Sequence, residues 1–341
     1  MKNLIKPLIA IVISLLVGAL LILPTKTTPL EAYMALLQGA FRDRNAIFQT
    51  LSNATPLIFM GLAASISFRS GIWNIGLEGQ MYWGAFVSAL IGIYGASLPS
   101  FILIPLCLIG AFVAGGLWSL FPAFLKERYN TNIVITTIMM NNVAQLLTNY
   151  LASYPFKGDV PISATYQVDS NAQLPRIVSN STLNIGFLLA LVVAAILFFV
   201  LFKTQLGYKI RAFGQNESFA ATIGIDKRKM TYLIMLLSAG IAGLAGAEQT
   251  LGVNGRFIAD FSPGYGFNGI TVAYLGLLNP IGAIIGGLFF GALTSGSIYM
   301  EIMTSVTRDL ISSIQAVIIM FLAADQLIKF KKRRVIRKEG S

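Results

Sequence analysis

Apolar stretches of about 20 residues recur along most of this 341-residue chain, and each is long enough to cross a hydrocarbon core of about 30 Å as a helix. Composition agrees: 55% of the residues are hydrophobic and only 11% are charged, against about 25% charged in soluble domains. The expected fold class is all-α, a polytopic membrane helix bundle with about ten transmembrane helices. They are placed near 7–23, 47–68, 81–98, 101–125, 131–151, 183–202, 231–251, 268–279, 280–299 and 310–328. The run 268–279 is too short to span alone. Such a segment is tolerated at membrane depth only where protein buries it or it lines a cavity.

The loops orient this map. With both termini cytoplasmic, 18 of the 25 Lys and Arg residues fall inside, the bias expected of cytoplasmic loops. Those left outside are Lys26, Arg42, Arg44, Lys157, Arg176, Arg256 and Arg308. Lys2 and Lys6 followed by an apolar run resemble a signal peptide, but no small-residue cleavage site follows. The run is read as an uncleaved first helix. The expected organisation is a transmembrane domain over 1–328, with a polar inner loop at 203–230, and a basic cytoplasmic tail at 329–341. The tail's Lys329, Lys331, Lys332, Arg333, Arg334, Arg337 and Lys338 suit anionic lipid headgroups. Residues 152–182 form a polar outer loop, and 47–151 and 231–328 hint weakly at two related halves.

Several chemistries are excluded. The chain has no histidine and a single cysteine, Cys107, inside an apolar run. That removes disulfide frameworks, His/Cys zinc sites and His-based triads. No Gly-Lys dipeptide occurs, so there is no phosphate-binding P-loop. The net charge of +11 sits in short loops and at helix ends, which argues for a membrane surface and against nucleic acid. No metal or cofactor is expected.

Polar residues inside apolar helices are costly and therefore informative. Asn141, Gln145 and Thr148 share one helix face by their spacing, with Asn142 and Asn149 nearby. Glu248 and Gln249 sit near the end of the seventh helix, and Asn74, Gly76, Glu78, Gly79 and Gln80 fall in a Gly-rich turn, 71–80. Two readings stand. Asn141, Asn142, Gln145, Glu248 and Gln249 line a polar path, or they hold the bundle together by interhelical hydrogen bonds. Glu78 and its glycine neighbours read as a tight structural or gating turn. The 32 glycines read as sites of close helix approach.

Two motifs carry a resemblance. Gly71-Ile72-Trp73-Asn74-Ile75-Gly76-Leu77-Glu78-Gly79-Gln80 and Arg211-Ala212-Phe213-Gly214-Gln215-Asn216-Glu217-Ser218-Phe219-Ala220-Ala221-Thr222-Ile223-Gly224-Ile225 resemble those of the permeases of ATP-binding-cassette importers for simple sugars, nucleosides and branched-chain amino acids. The Met/Asn-rich run Thr136–Asn142 is most similar to the nucleoside-type branch. The resemblance implies a transport subunit of a bacterial plasma membrane without its own ATP site. It implies a cytoplasmic ATPase, a second permease (usually a different one) and an extracytoplasmic solute-binding protein as partners. It further implies that Arg211, Gly214, Asn216, Ala220, Ala221, Gly224 and Ile225 belong to the segment that couples to the ATPase. The residues fit a short helix there: Asn216 is a favourable N-cap, Glu217 suits the first turn, and Gly224 suits the stop. A plain helix lying on lipid headgroups would need the same basic flanks. An ion-coupled carrier would need carboxylates placed for ions, and only Glu78, Glu248 and Asp325 come near. A membrane enzyme would need a catalytic pair, and none is visible.

Overall fold

A computed structural model describes residues 2–307 except 180, together with 309–314, 316–317 and 320. The basic tail, Asp325 and most of the expected last helix lie outside the described residues. Those of 310–320 that are described are helical. Helices α1 (Lys2–Ile22), α2 (Pro29–Phe41), α3 (Arg44–Arg69), α4 (Leu77–Tyr94), α5 (Ser100–Tyr129) and α6 (Ile133–Ser153) are followed by a polar loop. Then come α7 (Gly186–Lys203), α8 (Gln205–Gln215), α9 (Glu217–Thr222), α10 (Lys227–Glu248), α11 (Tyr265–Leu275) and α12 (Pro280–Met303). A π-helical turn, Gln249–Asn254, extends α10. Among the described residues β-structure is limited to isolated bridges. The chain is thus all-α, and among the described residues five helices are long and apolar enough to cross a membrane: α3, α5, α7, α10 with its extension, and α12.

Two compact units are present, residues 51–291 and residues 1–50 with 292–341. In the smaller one α2 is an element the apolar pattern did not reveal. Thr28 and Glu31 close a reciprocal capping box and Pro29 occupies the first turn, so the helix is set by its cap. Gly39 lets α2 meet α12 closely, since a Cβ there would lie 2.4 Å from the Tyr299 side chain.

In the larger unit α3 and α10 are central, with 89% and 78% of their spans buried, while α5 and α7 are peripheral at 28% each. Phe101, Ile109, Leu117 and Phe121 of α5 and Leu188, Val192, Ile196 and Phe199 of α7 face outward, as lipid-facing residues do. α10 packs on α4 and α5 at backbone contact distance: a Cβ on Gly84 would fall 2.4 Å from Gly243. The Gly-rich run of α10 is therefore a packing surface.

The element boundaries correct two expectations. α4 begins at Leu77 and not at 81, so Glu78, Gly79 and Gln80 lie in its first turn and only the residues before it form the break. The positive end of a helix dipole welcomes Glu78 there. The inner loop 203–230 holds two helices, α8 and α9, where one was expected. The short segment expected at 268–279 is α11, of 11 residues.

Candidate functional site

The expected polar face of α6 runs along one side of two breaks in the bundle. At the first break, Asn141 uses both ends of its amide on backbone. Its Oδ1 accepts from Gly79 N–H at 2.8 Å and its Nδ2 donates to Ile75 O at 2.8 Å. Thr137 Oγ1, one turn earlier, accepts from Ile75 N–H at 3.3 Å. Behind this turn Asn74 and Gln80 pair reciprocally. Asn74 Nδ2 donates to Gln80 Oε1 at 2.9 Å, and Gln80 Nε2 donates to Asn74 Oδ1 at 3.0 Å. Asn74 Oδ1 also accepts from Gly76 N–H at 3.0 Å, and Asn74 Nδ2 reaches Ser238 on α10 at 3.2 Å. Both amides are buried. Non-helical backbone is thereby satisfied by side chains, as a membrane interior requires.

The second break lies between α10 and α11. Residues 251–259 are pinned to the polar loop by backbone bonds from Leu174, Val168 and Thr165 N–H to Leu251, Gly255 and Phe257 O, and from Ala259 N–H to Ser163 O. Beyond them Asp260 takes a left-handed conformation, φ 54°. Its Oδ1 accepts from Gln145 Nε2 at 2.5 Å and from Asn149 Nδ2 at 2.8 Å, and its N–H donates to Asn149 Oδ1 at 3.3 Å. Gly264, φ 90°, opens α11, and Gly266 N–H donates to Glu78 Oε2. Glu78 therefore ties the start of α4 to the start of α11, at two positive helix ends.

The other expected residues lie apart. Asn142 is exposed on α6, off the stripe that carries Asn141 and Gln145. Glu248 and Gln249 are 1% and 6% exposed. Glu248 Oε1 accepts from Asn184 Nδ2 at 2.9 Å and Oε2 from Gln249 Nε2 at 2.8 Å. This cluster knits α10 to the start of α7 and, among the described residues, shares no hydrogen-bond partner with the α6 stripe.

At the basic end, α8 and α9 meet at Asn216, whose side chain accepts from Phe219 N–H at 3.1 Å. Helix α9 stops at Gly224, φ 81°. Gly224 N–H donates to Ala221 O at 3.1 Å and Ile225 N–H to Ala220 O at 3.0 Å, the paired closure that a left-handed glycine permits. Ala220 and Ile225 turn inward, while Phe219 and Ile223 are 57% and 45% exposed and Ala221 stands beside them. α8 is wired to the first break. A Cβ on Gly214 would lie 2.1 Å from Arg69 O, at the foot of the turn that leads to Asn74. Arg211 donates to Leu201 O, and the Arg211 and Arg69 guanidinium groups sit 5.5 and 4.8 Å from the Phe202 ring centre. Arg69 also donates to Leu278 O at 2.6 Å, just before α12.

Residues 46–323 match the family described as branched-chain amino acid transport system, permease component. The chain belongs to this family. As a permease component it is also 34% identical to the guanosine ABC transporter permease protein NupP of Bacillus subtilis, over 100% of this chain and 99% of that protein. It is 31% identical to the glucose ABC transporter permease protein TsgB13 of Haloferax volcanii, over 96% and 89%. A second guanosine ABC transporter permease protein of Bacillus subtilis, NupQ, is 31% identical over 73% and 80%.

Within the permease, sequence reasoning missed Asp260, Asn184 and Ser238. Asp260 lies 111 and 115 residues from its amide partners, so no local spacing announces the contact. The one local signal was an acidic residue between two glycine-marked helix ends, Gly255 and Gly264.

Proposed function

We propose that this permease is the membrane-spanning subunit of an ATP-binding-cassette importer for nucleosides. The observation that carries the reading is the end-to-end similarity to a guanosine permease protein. The polar groups support it. The stripe that borders the breaks is built of neutral amides and hydroxyls, which suit an uncharged, hydrogen-bonding solute. Glu78 and Glu248 are both occupied by hydrogen bonds within the protein, which disfavours ion coupling through them.

In this reading Gln145 and Asn142 border the path, while Asn141, Glu248 and Gln249 hold its wall. The chain crosses the bacterial plasma membrane ten times with both termini cytoplasmic, and 1–328 act as one permease domain ahead of the basic tail 329–341. It pairs with a second, different permease chain, as the matches to both NupP and NupQ of one organism suggest. A solute-binding protein delivers the nucleoside from outside. A cytoplasmic ATPase docks on α8 and α9, with Phe219, Ala221 and Ile223 as the apolar knob. Gly214, Arg211 and Arg69 pass its movement to the turn before α4. Direction of transport follows from the binding protein's side of the membrane.

Competition decides the solute. Uptake of labelled guanosine by cells expressing the complete system should be blocked by excess guanosine or uridine and unaffected by ribose, glucose or leucine. Block by glucose alone would move the permease to the sugar reading that TsgB13 favours. Orientation has its own test in a Cys107→Ser background. An impermeant thiol reagent on intact cells should label Ser170→Cys and not Lys338→Cys.

A further inference from the structure

Asp260 is exposed and sits where helical order is lost between the π-helical turn and α11. Its Oδ1 already accepts from two amides, at 2.5 and 2.8 Å. Its Oδ2 has no partner among the described residues, and no Lys or Arg forms an ion pair with it among them. The clamp fixes the carboxylate by one oxygen and presents the other. An ionised carboxylate is acceptor-only, so what it faces must bring donors. Gln145 and Asn149 lie eight and four residues before the end of α6, about 12 and 6 Å along the axis, so the carboxylate is held one to two turns below the helix end. Beside it stand aromatic rings. Phe261 packs against Tyr82 and Phe257, with ring centres 4.9 and 5.8 Å apart. A left-handed non-glycine residue held by long-range side-chain bonds is also the kind of local strain that collects at functional positions.

We infer that Asp260 is a solute-contacting, specificity-determining residue at the outer mouth of the path. Its free Oδ2 accepts hydrogen bonds from the hydroxyl or N–H groups of a neutral solute and repels solutes that carry phosphate or carboxylate. Gln145 and Asn149 are the positioning residues that aim it. The inference rests on the nucleoside reading for its solute, though the chemistry asked of the solute is only that it be neutral and rich in donors.

The isosteric change Asp260→Asn separates this role from a structural one. The asparagine keeps an oxygen for the two amide donors and replaces the outward acceptor by a donor. The complete transporter, with its binding protein and ATPase, is reconstituted in vesicles, and kcat/KM is measured for guanosine, 2′,3′-dideoxyguanosine and inosine. Hydrogen bonds to a charged group set the scale. Asp260→Asn should lower kcat/KM for guanosine by about 10- to 100-fold, and should erase whichever discrimination the wild type shows. Loss of the dideoxyguanosine discrimination assigns the donors to the ribose, and loss of the inosine discrimination assigns them to the base amine. Asp260→Glu keeps the acceptor and should retain more uptake than Asp260→Asn. Wild-type kcat/KM and discrimination in Asp260→Asn would reduce Asp260 to a clamp, and so would equal losses in Asp260→Asn and Asp260→Glu. Equal kcat/KM for all three solutes in the wild type also overturns the inference, whatever the variants do. A wild type that moves glucose but no nucleoside defeats the nucleoside reading alone. The same variants are then compared on glucose and 2-deoxyglucose.

Discussion

The two breaks in the bundle are satisfied in opposite ways. The turn before α4 is sealed: Asn74 and Gln80 are buried, bond each other reciprocally, and reach α10 through Ser238. The segment before α11 is open at Asp260 and is held there by two amide side chains from α6. Removing one member of a buried polar network leaves several groups unpaired, whereas an exposed one can turn to water. The first break is therefore part of the buried frame, and the second is the one whose polar groups stay open. The sealed break also lies next to α8, and the open one next to the polar loop.

Substitutions sharpen that contrast. The largest effect is expected from Asn74→Leu, which strands the Gln80 amide and Gly76 N–H in the core. It should destabilise the permease by about 3 kcal/mol, read as a large drop in melting temperature in detergent and loss of the assembled complex. Next is Gly214→Ala, whose Cβ would meet Arg69 O at 2.1 Å. It should push α8 off the sealed turn and cut solute-stimulated ATP hydrolysis by about 10-fold, the cost of one misplaced contact near 1.4 kcal/mol. If hydrolysis stays tied to uptake in that variant, the contact between α8 and the turn transmits nothing. Gln145→Leu should lower uptake several-fold while melting stays within about 1 kcal/mol of wild type. A melting loss as large as that of Asn74→Leu would erase the distinction between the two breaks. The smallest effect is expected from Gly224→Ala, where nothing lies within 4 Å of the new Cβ and only φ 81° resists it. It should cost about 1 kcal/mol of local order in α9, visible as faster amide exchange at Ala220–Ile225.

The sequence made legible what is local. Apolar run length located the five helices that are long and apolar enough to span among the described residues, and the Asn216 and Gly224 signals framed α9. The shortness of the segment that became α11 was also plain. Three things were not legible. α2 is defined by a cap and not by hydropathy, and α8 is too polar for a hydropathy search. The hydrogen-bond partners of the α6 stripe come from loops far off in sequence. Spacing placed Asn141 and Gln145 on one face correctly. It could not tell that Asn141 spends both amide ends on the turn at Ile75 and Gly79, or that Gln145 aims a carboxylate. The face is structural at Asn141, which bonds backbone at both amide ends, while Gln145 reaches an exposed carboxylate.

The central claim is that this permease carries nucleosides and that α8 and α9 tie their passage to ATP hydrolysis. The most direct measurement is guanosine-stimulated ATP hydrolysis alongside guanosine uptake, in vesicles containing the wild-type complex and the Ala221→Glu complex. Ala221 is exposed next to Phe219 and Ile223, so the charge enters the exposed face of α9 without entering the bundle. The wild type should show uptake and stimulated hydrolysis together. Ala221→Glu should lose stimulation, or lose the ATPase from the purified complex, while the membrane subunits still melt as the wild type does. Wild-type uptake, stimulation and ATPase retention in Ala221→Glu would contradict the account.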